Sequence, residues 1–171
     1  IKSIGTSAFE SCIGLTTVTF VDSTAASIGN NAFKRCIKLT SILFGNSILS
    51  IGNSAFEGCL LITEINIPTS IKTIGSNAFS NTNNLIYVEF EGTINPCKSN
   101  AFQNISTSIA FVPSNFEDEN FCGLIALKNG YCGFDCQWSY IQSSLTLTIS
   151  GNGEMFNFTH GIIPWKEEKL L

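Results

Sequence analysis

The sequence predicts a β-rich solenoid with short helical turns on its non-strand side, followed by a small β-hairpin module. Three observations carry this expectation. An Ala-Phe pair recurs at Ala8-Phe9, Ala32-Phe33, Ala55-Phe56, Ala78-Phe79 and Ala101-Phe102, in steps of 24, 23, 23 and 23 residues. After each of the first four pairs comes a short stretch with apolar residues in alternation, "LTTVTF", "LTSILF", "ITEINI" and "LIYVEF". From about Leu124 the period is gone and a different pattern begins. A fixed period of 20 to 50 residues is the mark of stacked supersecondary units that share one core.

Each position of the repeat has a physical reading. Phe9, Phe33, Phe56, Phe79 and Phe102 form one column of core plugs, and the chain has 14 phenylalanines in all. Ile4, Ile28, Ile51 and Ile74 form another, each followed by a glycine, Gly5, Gly29, Gly52 and Gly75, that breaks the coil before Ala-Phe. "SAFEGC" has apolar residues at i, i+1 and i+4, as in a single helical turn. Cys12, Cys36 and Cys59 share a column that Thr82 and Ile105 also fill, so these cysteines read as core-filling free thiols. Equivalent side chains in stacked coils point the same way, whereas a disulfide needs converging Cβ vectors. Leu15, Leu39, Ile62 and Leu85 begin the strands, and the alternation through Val18, Ile42, Ile65 and Val88 suits strands buried on one side.

A period in this range with an L-x-x-L-x-L-like core is a leucine-rich-repeat pattern. The fuller motif, V/I-x-x-I-G-x-x-A-F-x-x-C-x-x-L-x-x-I-x-I/F, resembles the BspA-like leucine-rich repeat from Ile1 to about Gly123. The last copy departs from it, with Cys97 in the Ile column, Lys98 in the Gly column and Pro113 in a strand column. "IAFVPSNFEDENFCG" resembles the closing segment of such arrays. The domain expectation is therefore an array of about five repeats with its closing cap over residues 1–123, and a β module over 124–171. In the latter, Trp138 and Tyr140, then Leu145, Leu147 and Ile149, read as a hairpin. This segment resembles the module that precedes repeat arrays in some relatives, which implies the opening of a second array.

Composition narrows the function classes. The chain has 171 residues, is 44% hydrophobic and only 13% charged, and so packs a core rather than remaining disordered. Its net charge is −4 and its nine Lys and Arg are scattered, which argues against nucleic acid. No apolar run approaches the roughly 20 residues of a membrane span, so no membrane insertion is expected within this stretch. The chain begins at Ile1 and reads as part of a longer protein.

A solenoid binds with the face its strands expose. The outward positions are Thr17, Ser41, Glu64 and Tyr87 in one row, and Thr19, Leu43, Asn66 and Glu89 in the next. Val21, Gly45, Pro68 and Glu91 form a third. Glu64, Glu89 and Glu91 would make a negative patch beside Tyr87, suited to a basic protein ligand.

Catalytic and metal chemistry find little support. His160 is the single histidine and has no nucleophile motif beside it. The carboxylates Glu117, Asp118 and Glu119 lack the alternate spacing and central glycine of a calcium loop. Cys97, Cys122, Cys132 and Cys136 lie outside the repeat column and allow three pairings, among them a local Cys132–Cys136 bridge. Asn104 and Asn157 each open an N-x-S/T sequon. No enzyme activity, metal or cofactor is expected. The family resemblance implies a cell-surface or secreted adhesin or surface antigen, with host or extracellular-matrix protein, or another microbial surface protein, as partner. The alternative is a structural spacer, or a self-associating module that docks through Leu170-Leu171.

Overall fold

The structure is a computed structural model that describes residues 2–21, 26–105 and 109–128, and the backbone of 131–133, 136–141 and 146–151. The elements are strands β1 (Ser3–Ile4), β2 (Thr17–Thr19), β3 (Ala26–Ile28), β4 (Ser41–Leu43), β5 (Ile48–Ile51), β6 (Glu64–Ile67) and β7 (Thr73–Ile74). They continue as β8 (Tyr87–Phe90), β9 (Ile109–Val112), β10 (Asn120–Phe121), β11 (Leu124–Lys128), β12 (Tyr131–Gly133), β13 (Cys136–Ile141) and β14 (Thr146–Gly151).

The coils stack in parallel and build two walls of strand. The outward strands pair as β2 with β4, and as β6, β8, β9 and β11 in order, with β10 antiparallel on β11. Thr17 is opposite Ser41, Glu64 opposite Tyr87 and Asn66 opposite Glu89, so the first two rows read from the sequence are in register within the β2-β4 sheet and within the β6-β8 pair. The second wall is the parallel sheet β1-β3-β5-β7, which carries the Ile column; Ile4 pairs with Ile28, Ile28 with Ile51 and Ile51 with Ile74. The first sheet runs past Gly123 to Lys128, with Leu124 and Leu127 buried. Beyond it, β12, β13 and β14 form an antiparallel sheet in which Trp138 is opposite Ile149 and Tyr140 opposite Leu147.

The Ala-Phe segments form the third wall, and the expected helical turns are absent: no helix occurs among the described residues. Ser7 and Ser11 have φ of 54° and 59°, and the same left-handed positions recur at Asn31 and Arg35, Ser54 and Gly58, and Asn77 and Asn81. These reversals end any helical run within three residues. They also turn every second N–H toward the neighbouring coil. Phe9 donates to Ala32 O at 2.7 Å, Phe33 to Ala55 O at 2.7 Å and Phe56 to Ala78 O at 2.7 Å. The intervening N–H groups bond back three residues, as Cys12 to Phe9 O at 3.2 Å. The wall thus satisfies half its donors locally and half by stacking.

The glycine column also has a different role from the one expected. The repeated glycines Gly5, Gly29, Gly52 and Gly75 do not have the positive φ of Gly58 and Gly123. Their need is steric: a Cβ on Gly29, Gly52 or Gly75 would lie 2.7, 2.7 or 2.5 Å from the backbone nitrogen of the coil before. Gly5 has nothing within 4 Å of that point.

The core is a rod of stacked rings. Phe9, Phe33, Phe56, Phe79 and Phe102 lie face to face at centroid spacings of 5.2, 5.1, 5.4 and 5.0 Å. Phe20 meets Phe33 edge-on, and Phe44 meets Phe56 and Phe79 the same way. Full burial of such a ring is worth about 3 kcal/mol and each favourable ring pair about 1 kcal/mol more. Phe9 departs from the expected core: it has a neighbouring ring on one side and remains 43% exposed. At the other end Phe116 and Phe121 close the stack against Phe90.

Candidate binding face

The strands that frame the exposed sheet are sided by their alternation. β6 reads exposed, buried, exposed, buried from Glu64 to Ile67, because Ile65 and Ile67 plug the core and Glu64 and Asn66 cannot. Thr17, Thr19, Leu43 and Glu91 are likewise exposed, with Leu43 at 57%, and Ser41 is half-buried. Pro68, placed in the third outward row by periodicity, is buried instead, where the chain turns away after β6.

The face is open over the first three coils and closes over the later ones. Tyr87 is half-buried, stacks on Phe111 at 5.0 Å, and its hydroxyl donates to Glu89 Oε2 at 3.1 Å. Glu89 is half-buried too. Phe111 stands opposite Glu89, at an outward register position, yet is only 3% exposed. Sequence reasoning missed Phe111. The available signal was "IAFV", whose unbroken apolar run marks a strand covered on both faces. The three carboxylates do not act alike: Glu64 and Glu91 face solvent, whereas Glu89 is engaged by Tyr87. Near Glu91 the loops after β6 and β8 part, leaving an open cavity of about 250 Å³ lined by Thr69, Ile71, Lys72, Phe90 and Ile94. Lys72 Nζ there donates to Thr69 O at 2.7 Å.

The repeat cysteines are free thiols with partners. Cys36 Sγ donates to Phe9 O at 3.1 Å, and Cys59 Sγ to Phe33 O at 3.3 Å. Thr82 Oγ1, in the same column, donates to Phe79 O at 2.7 Å. Cys12 is half-buried. Burial pushes the Cys59 thiol up to about 12 and raises that of Cys36 as well. Such thiols are poor nucleophiles and poor metal ligands.

Of the four cysteines outside the column, Cys97 and Cys122 are joined in a disulfide with Cα atoms 5.2 Å apart. Cys122 sits in the left-handed turn between β10 and β11, and Asn95 donates to Asn120 O at 2.9 Å beside it. Cys132 and Cys136 stand on β12 and β13, and their side chains lie outside the described residues. Asn104 is exposed, and its amide donates to Asn81 Oδ1 at 3.1 Å. Asn157 and His160 lie outside the described residues, as does Leu170-Leu171. Among the described residues no three His, Cys, Asp or Glu side chains gather to hold a metal ion, and no helix is long and apolar enough to cross a membrane.

Residues 1–124 match the model of the BspA type leucine rich repeat region in six copies, one more than the five Ala-Phe pairs. The chain belongs to this family. It is similar to a leucine rich cell surface protein from Faecalibacterium prausnitzii A2-165, at 30% identity over 63% of this chain, with a TM-score of 0.49. It is also similar to a leucine-rich repeat protein from Bacteroides ovatus ATCC 8483, at 16% identity over 75% of this chain, with a TM-score of 0.47. These similarities span only 30% and 40% of those two chains. No curated protein matches the chain.

Proposed function

We propose that the array is a non-catalytic, protein-binding module of a cell-surface or secreted protein, an adhesin or surface antigen that engages host or extracellular-matrix protein through its exposed strands. One observation carries this. The inward residues Val18 and Ile42, and Ile65 and Val88, repeat in kind, whereas the outward residues paired with one another differ, Thr19 opposite Leu43 on β2 and β4 and Glu64 opposite Tyr87 on β6 and β8. A rigid scaffold presenting a varied surface suits recognition. The Cys97–Cys122 disulfide supports maturation in an oxidising compartment. In this reading the β module begins after Lys128, where the array's sheet ends, and serves as a junction to further structure. The alternative of a spacer docking through Leu170-Leu171 rests on residues outside those described.

The test is solid-phase binding to a panel of purified extracellular-matrix proteins, with Leu43→Glu and Glu64→Lys beside the wild type. Both substitutions are at exposed positions, unlike changes at Tyr87 or Glu89, which would disturb packing. Loss of binding in both variants supports the reading. A wild type that binds none of the panel refutes the adhesin, and binding untouched by either change refutes the choice of face.

A further inference from the structure

We infer that the corner between the Ala-Phe wall and the exposed strands is a second interaction surface, one that takes an acidic, aliphatic segment of a partner protein. It is separate from the outward strand residues and goes beyond the reading above. Ile13, Ile37 and Leu60 occupy the same position in three successive coils and are 61%, 40% and 38% exposed, with Leu61 beside them at 43%. Coils stacked about 4.8 Å apart align these side chains into an aliphatic ridge about 10 Å long. The fourth coil has Asn83 at this position, so the fold itself does not require an aliphatic residue there. A contiguous apolar ridge with a polar rim marks a contact surface.

Two cations flank it, and they set the partner's chemistry. Arg35 and Lys38 are both exposed, on either side of Ile37 in the chain. Lys34 pairs with Glu57 at 3.0 Å, and Arg35 also draws on that carboxylate without a salt-bridge contact to it, so two cations share one nearby acid. Arg35 has a φ of 58°, in a column that Ser11, Gly58, Asn81 and Asn104 otherwise fill. A long side chain at a left-handed position is unfavourable, and small residues or Asn are the ordinary choice there. The stem of Arg35 passes over the next coil: a Cβ on Gly58 would lie 3.6 Å from Arg35 Cγ. An exposed guanidinium two residues from Ile37 can offer a carboxylate a two-pronged hydrogen bond.

The test uses short fluorescein-labelled peptides: alternating leucine and glutamate, leucine and lysine, or serine and glutamate. Binding to the whole chain is read by anisotropy at low and high salt, beside flotation with phosphatidylserine vesicles. The substitutions Arg35→Asn and Leu60→Asn install residues that other coils carry at these positions, so the fold is retained. The leucine–glutamate peptide is expected to bind, more weakly as salt rises. Each substitution should lower its affinity by about tenfold or more, the worth of one charged hydrogen bond or one buried aliphatic group. Ile94→Asn, at an exposed aliphatic residue away from the ridge, should leave the peptide's affinity unchanged. Equal binding of the leucine–lysine peptide, or unchanged affinity in both Asn variants with thermal midpoints retained, overturns the inference. So does binding of the vesicles without binding of the peptide.

Discussion

Replacing Gly75 by Ala should unfold this protein far more readily than replacing Gly5, although the two glycines hold the same place in the repeat. At Gly75 the new methyl would lie 2.5 Å from both Asn53 N and Asn53 Oδ1, and 2.7 Å from Gly52 C. Ordinary contact needs about 3.5 Å, so two coils must part by nearly 1 Å. Asn53 cannot yield alone. Its N–H donates to Asn30 Oδ1 at 2.8 Å, its Oδ1 accepts from Ser76 N at 2.9 Å, and Gly75 N bonds Ile51 O at 2.9 Å. Overpacking costs about 1–3 kcal/mol, and weakening two of these bonds about 1 kcal/mol each, so Gly75→Ala should destabilise by about 3–5 kcal/mol. At Gly5 nothing lies within 4 Å; Ala there restricts the unfolded chain and should be neutral or stabilising by about 0.5 kcal/mol. With a urea slope near 2 kcal/mol/M, Gly75→Ala should lower the midpoint by about 2 M, followed by far-UV circular dichroism. Midpoints for the two variants within about 0.5 M of each other would refute the steric account of the glycine column.

Other outcomes follow from the same packing. Phe56→Ala, at a ring that is 0% exposed and stacked on both sides, should cost about 3–5 kcal/mol, and Phe9→Ala about half as much; equal losses in urea would contradict the stack. Cys59 stays protonated in the folded protein up to about pH 12, whereas the unfolded chain ionises near 9, so the unfolded state releases its proton first. Stability should therefore fall by about 1.4 kcal/mol per pH unit above 9 on account of Cys59, and less steeply in Cys59→Val, where only the raised Cys36 thiol remains; parallel losses in the two proteins between pH 8 and 10.5 would show that the Cys59 thiol is not shielded. Opening the Cys97–Cys122 bridge by paired Ser substitutions should cost about 3.5 kcal/mol, from the 25-residue separation it closes; a thermal midpoint unmoved by the change would contradict its constraint on the closing segment.

What could be read from the chain was whatever repeats. The Phe, Leu and Ile columns show in one dimension because stacking forces the same burial on equivalent residues. The outward rows follow from strand alternation, and the register confirms Thr17 beside Ser41 and Glu64 beside Tyr87. The wall β1-β3-β5-β7 was hidden because its strands are two to four residues long, too short for alternation to show. The glycine column was visible but its cause was not, since close approach of another coil leaves no local mark. The covering of Phe111 and the joining of Cys97 to Cys122 depend on where the closing segment lands, which no period encodes. The αL positions at Ser7 and Ser11 were hidden because Ser suits turns and helix starts alike.

The Ala-Phe wall has an electrical consequence. Ser7, Phe9 and Ser11 donate to Asn30, Ala32 and Lys34, and the corresponding donors of each later coil point the same way, through Asn77, Phe79 and Asn81 to Asn100, Ala101 and Gln103. In a β-sheet successive peptide dipoles alternate and largely cancel. Here the peptides that bond between coils all aim their N–H toward the closing end, so their dipoles add along the axis as they do in a helix. The wall is a macrodipole built without a helix, positive toward the closing segment and negative toward the first coil. The side chains oppose it in part: Lys2, Lys34, Arg35 and Lys38 outnumber Glu10 and Asp22 in the first two coils, and Glu117, Asp118 and Glu119 outnumber Lys98 and Lys128 toward the closing end. Lengthening such an array would deepen the dipole with every coil, and charge placed at its two ends would matter more than charge placed between them.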